Sequence, residues 1–151
     1  MKNAVTIAAS TLIALAATLS SVRAANSINI ADAWIQAPMP GSYEAAGYLR
    51  ITNSGSSDDR LLSVSTQAAG VTEIHEVQLN DGVVSMRPLI YGVKIPAGDT
   101  IALSPTTMHL MLLNHKRRLA SSKTIILQLN FQNAGTLRVT APVRALSADG
   151  R

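Results

Sequence analysis

Asn80-Asp81-Gly82, set between the alternating runs Val71 to Leu79 and Val83 to Ile90, is the strongest hairpin signal in the chain. An Asp-Gly pair supplies the positive φ that a two-residue turn between antiparallel strands requires. The same grammar extends in both directions. Ile28 to Gln36 reads as a strand with Trp34 as its core anchor, and the prolines of Ala37-Pro38-Met39-Pro40-Gly41 stop it, because proline cannot donate to a ladder. Ala46 to Asn53 and Arg60 to Thr66 alternate on either side of the loop Ser54 to Asp59. Val93 to Ile95 and Thr100 to Leu103 flank Pro96-Ala97-Gly98-Asp99, and Thr107 to Leu113 is apolar on both faces, as a central strand would be. Thr124 to Gln132 and Thr136 to Arg144 flank Asn133-Ala134-Gly135. Gly41 to Gly47 has room for a single helical turn, but no stretch after residue 24 carries a helical apolar stripe. Short strands at near-regular spacing predict one all-β domain, an antiparallel sandwich or barrel, over residues 25–145.

The two ends stand apart from this pattern. Lys2, the apolar run Ala4 to Leu19, and Val22 and Ala24 at the −3 and −1 positions form a cleavable signal peptide over residues 1–24. The run is shorter than the roughly 20 apolar residues that span a bilayer. Export is therefore expected, with no membrane span after cleavage. Residues 146–151 read as a loose tail. Cleavage removes Lys2 and Arg23 and lowers the formal charge from +4 to +2. The remaining basic residues are scattered, apart from Lys116-Arg117-Arg118, and do not interleave with aromatics, so no nucleic-acid partner is expected. The chain has no cysteine. That excludes disulfide staples, iron–sulfur clusters, cysteine nucleophiles and a blue-copper site, each of which needs the thiol or thiolate.

Against this background four side chains combine into a donor set: His75, Met86, His109 and Met111. Imidazole and thioether are soft neutral donors that suit Cu(I) far better than magnesium, calcium or manganese. His109 and Met111 are two apart on one strand and share a face. His75 and Met86 join them on one face only if the hairpin loop is two residues long, which pairs Val77 with Met86 and His75 with Pro88. Their Cβ atoms would then be diagonal neighbours about 7 Å apart. A three-residue loop pairs Glu76 with Met86 and turns His75 away. Met39, Met108 and His115 read as turn filler, opposite-face core and a loop residue.

The pattern resembles the PCu(A)C family of periplasmic copper chaperones. Ten residues separate His75 from Met86, and twenty-two separate Met86 from His109-x-Met111. The surroundings are similar too: APMPG (37–41), AAGYLRITNSG (45–55), EIHE (73–76), VVSMRPL (83–89), IPAG (95–98) and HLMLL (109–113). The resemblance implies a cupredoxin-like antiparallel Greek-key β-sandwich in the periplasm. It also implies Cu(I) as cargo and a protein acceptor, such as the binuclear copper centre of cytochrome c oxidase or another chaperone. Many family members carry a methionine directly after the first histidine. Here Glu76 stands in that place, on the opposite strand face, where it would at most add a carboxylate near the rim. The expected site is shallow and partly exposed, at one end of the sandwich. A copper-buffering or resistance protein without a dedicated acceptor uses the same ligands, and a non-metal adhesion sandwich would use the methionines as core. An enzyme is not expected, since no G-x-S-x-G elbow or carboxylate dyad is present.

Overall fold

A computed structural model describes residues 27–115, 119 and 123–145. The expected signal peptide (1–24), the basic triplet 116–118 and the expected tail (146–151) lie outside the described residues. Ten strands run through the rest: β1 (Ile28–Gln36), β2 (Glu44–Asn53), β3 (Asp59–Ser65), β4 (Val71–Asn80), β5 (Val83–Pro88), β6 (Val93–Ile95), β7 (Thr100–Leu103), β8 (Met108–Leu113), β9 (Thr124–Phe131) and β10 (Gly135–Arg144).

The strands form a cupredoxin-like, antiparallel Greek-key sandwich. One layer is ordered β5-β4-β8-β2-β1, with β7 also on β2, and the other is β10-β9-β3-β6. The chain changes layer between β2 and β3, returns at β4, crosses twice more around β6, and crosses a last time between β8 and β9. The layers meet where β10 pairs with β1 in parallel, Ile35 opposite Val143 and Gln36 opposite Arg144. β7 and β8 follow one another along one edge of β2, pairing with Leu49 to Thr52 and with Glu44 to Gly47 respectively. Residues 41–47 hold no helix; a turn closed by Ser42 N–H donating to the Met39 carbonyl leads straight into β2.

Between the layers lie Ile35, Ile51, Leu61, Ile95, Leu110, Leu112, Leu127, Leu129 and Val143, all shut off from solvent. Burying aliphatic side chains of this size stabilises by about 1.5–3 kcal/mol each, before entropy is set against it. Gly47 allows the close approach of β1 and β8, since a Cβ there would meet Ile35 Cδ1 at 2.7 Å and Leu110 Cβ at 3.2 Å. Trp34 departs from the expectation of a core anchor. A bulge between Ala31 and Trp34, with Asp32 at φ 52°, shifts the alternation of β1 by one residue. Ile35 therefore enters the core, and Trp34 turns to the outer face, half-buried against Tyr48.

Candidate metal centre

The hairpin that decides the candidate site takes the two-residue form. Asn80 pairs with Val83, Val77 with Met86 and His75 with Pro88. Asp81 at φ 49° and Gly82 at φ 80° occupy the two turn positions, both left-handed as a type I′ turn requires. On its other side β4 pairs with β8, placing His75 opposite His109 and Glu73 opposite Met111. Directly opposite residues share a face, so Met86, His75, His109 and Met111 all project from the same side of the β5-β4-β8 ribbon. The intervening residues Ile74, Leu110 and Leu112 project the other way and are buried in the core. The four donors therefore lie on the broad outer face of the sheet, not at an end of the sandwich.

The two imidazoles are cross-strand neighbours with centroids 6.1 Å apart and planes tilted by 52°. His109 is only 4% exposed, under an aromatic cover in which Tyr48 sits 6.4 Å away and Trp34 packs at a tilt against Tyr48, 4.7 Å between centroids. Burial, and secondarily the neighbouring His75, holds the His109 pKa below its ordinary 6.5, because a cation is penalised where water is excluded. The ring is thus kept neutral, with a lone pair available. Its Nδ1 is buried without any hydrogen-bond partner, a cost of about 1–3 kcal/mol that a ligand would relieve. Burial also raises the Tyr48 pKa, so its phenol stays protonated and donates to Gln36 Oε1 at 3.0 Å.

His75 Nε2 lies 2.7 Å from Glu73 Oε2. A carboxylate oxygen accepts, so Nε2 is the donor in this bond, and in the neutral ring the lone pair lies on Nδ1. The carboxylate beside the candidate site is thus Glu73. Glu76 points to the opposite face, where Arg87 holds it through Nε and Nη2 at 3.0 and 2.8 Å and Gln78 donates at 3.0 Å. Glu73 was legible as a same-face neighbour of His75 two residues away, and Tyr48 through the alternation of Ala46-Gly47-Tyr48. Neither position stands out until β4, β8 and β2 are known to be adjacent. Met108 packs on the core from the opposite face, and His115 Nε2 bonds the Ser42 carbonyl at 2.9 Å. Among the described residues no three His, Asp or Glu side chains are placed to hold a metal. The donors that this face offers together are two imidazoles and two thioethers, a set whose chemistry suits a soft cation.

The fold is similar to that of PCuAC domains. The apo PCuAC domain from PmoF1 superposes with a TM-score of 0.67 at 26% identity, over 79% of this chain and 94% of that one. The solution structure of CuI-DR1885 from Deinococcus radiodurans gives 0.67 at 25% identity over 87% of each. By sequence the chain belongs to the family described as "Putative lipoprotein LpqE-like", which matches residues 28–143. It is also 30% identical over 123 residues to "Putative lipoprotein Lxx21020" of Leifsonia xyli subsp. xyli, covering 82% of this chain and 73% of that one.

Proposed function

We propose that this protein is an exported, periplasmic copper chaperone of PCu(A)C type that holds Cu(I) through His75, Met86, His109 and Met111. The observation that carries the reading is the double register: Val77 against Met86 and His75 against His109 put two imidazoles and two thioethers on one face. The likeness to the solution structure of CuI-DR1885 supports the choice of cargo. Neutral donors hold a monovalent ion without burying a second charge, and methionine ligands are weak enough to be exchanged one at a time for those of an acceptor. Such exchange suits delivery to a protein copper centre, for instance the binuclear centre of cytochrome c oxidase. Nothing in this role calls for catalysis. Export rests on the signal-like residues 1–24; although the relatives are named lipoproteins, these 151 residues contain no thiol on which a lipid could be placed.

X-ray absorption on the copper-loaded protein tests the ligand set. The expected result is a monovalent ion with a mixed sulfur and nitrogen shell; a shell of nitrogen and oxygen alone overturns it. Transfer of copper to a purified oxidase copper domain distinguishes a chaperone from a copper buffer that uses the same ligands.

A further inference from the structure

One hollow on the ligand-bearing face is not explained by the four-donor site. It has a volume of about 190 Å³ and lies between β2, β8 and the loop after β1, with Met39, Met111, Ala46 and Glu44 in its lining. Met111 stands opposite Ala46 across β2 and β8, and a methyl side chain there leaves the space open. Met39 is 78% exposed, between Pro38 and Pro40. Hydrogen bonds pin this loop beside the metal-bearing strand. Ala37 N–H donates to the Arg144 carbonyl at 2.7 Å, Ser42 N–H to the Met39 carbonyl at 3.0 Å, and His115, just past β8, holds the Ser42 carbonyl at 2.9 Å. An unbranched thioether is therefore held out in water, at the rim of a hollow whose other sulfur is Met111.

We propose that Met39 and Met111 form a second Cu(I) station, the two lone pairs of the Met111 sulfur serving one ion in this station and one in the four-donor site, so that copper can pass across the shared sulfur. The inference rests on the copper-carrying reading above. Two thioethers suit a soft monovalent ion, the Glu44 carboxylate at the hollow offsets its charge, and the exposure of Met39 makes it the side open to a donor or acceptor. No bond other than metal–ligand bonds changes, and copper stays monovalent throughout.

The test is a Cu(I) titration of the full chain carrying 13C-labelled methionine methyl groups, with Met108, on the core side of β8, as internal reference. The expected result is movement of the Met86 and Met111 methyls with the first equivalent and of Met39 with the second, while Met108 stays still. Met39→Leu keeps the size and hydrophobicity of the side chain. It should abolish the second equivalent and leave the affinity for the first within about twofold. A Met39 methyl that stays fixed through two equivalents, or a Met39→Leu protein that still takes up both, overturns the second station and leaves the four-donor site standing. If Met86 and Met111 also stay fixed, the four-donor reading falls with it.

Discussion

β8 is a central strand and β5 an edge strand, yet both contribute donors to the same face. β8 is hydrogen-bonded to β4 on one side and β2 on the other, and Leu110 and Leu112 are sealed in the core. His109 and Met111 alternate with those two leucines, so their positions are set by the packing of the sandwich itself. β5 is exposed at every position, with Met86 57% exposed, and its register is held by the turn at Asp81-Gly82 and by the surface pair of Arg87 with Glu76 rather than by core packing. The candidate centre thus has a rigid half and an adjustable half. A carrier benefits from both: the first keeps the site assembled without cargo, and the second lets one ligand leave without disturbing the fold.

The sharpest way to break this contrast is to cut each strand's packing. Leu112→Ala on β8 should cost about 2–5 kcal/mol in chemical denaturation, whereas Val84→Ala on β5 should stay within about 0.5 kcal/mol. Equal losses would show that the two strands are anchored alike. At the level of binding, His109→Ala combined with Met111→Ala should remove copper from the protein in a Cu(I) competition titration. Met86→Leu should weaken binding by roughly tenfold, ~1.4 kcal/mol, mainly through faster release; if the edge-strand variant loses as much as the double variant, the division into halves is wrong.

Gly82→Ala tests the turn that holds the edge strand. An alanine at φ 80° is strained, so stability should fall by about 1 kcal/mol, and copper affinity should fall too because Met86 depends on this register. The smallest effect concerns pH. Burial keeps His109 neutral in the folded protein at values where the unfolded chain has already taken up a proton. Between the ordinary 6.5 and the lower folded value the unfolded state binds more protons. Stability should therefore be at its fullest above 6.5, decline as the pH falls below it, and level off once folded His109 itself protonates. Thermal melts across this range should show that slope, and His109→Gln should flatten it. The same depression should let the His109 nitrogen keep its hold on copper to lower pH than an ordinary histidine.

The strands were legible because each is a short alternating run stopped by turn chemistry. Ile28–Gln36, Val93–Ile95 and Thr100–Leu103 emerge with the bounds read from the sequence, and the others differ only at their ends. The hairpin register was legible for the same local reason, since Asp-Gly favours one loop length. Trp34 was misread because a bulge adds a residue without any composition signal that marks it, and everything after the bulge changes face. Glu73 and Tyr48 were passed over because their importance comes from neighbours far away in the chain.

Local stereochemistry depends on adjacent residues, so the amino-acid order alone determined the β character, the turns, the His109-x-Met111 pair and the register of Val77 on Met86. Which strands lie side by side depends on how the whole set of apolar faces is buried at once. Only the folded sandwich therefore set β4 beside β8, brought His75 across from His109, turned Trp34 outward, and left Met39 and Met111 at the edge of one hollow.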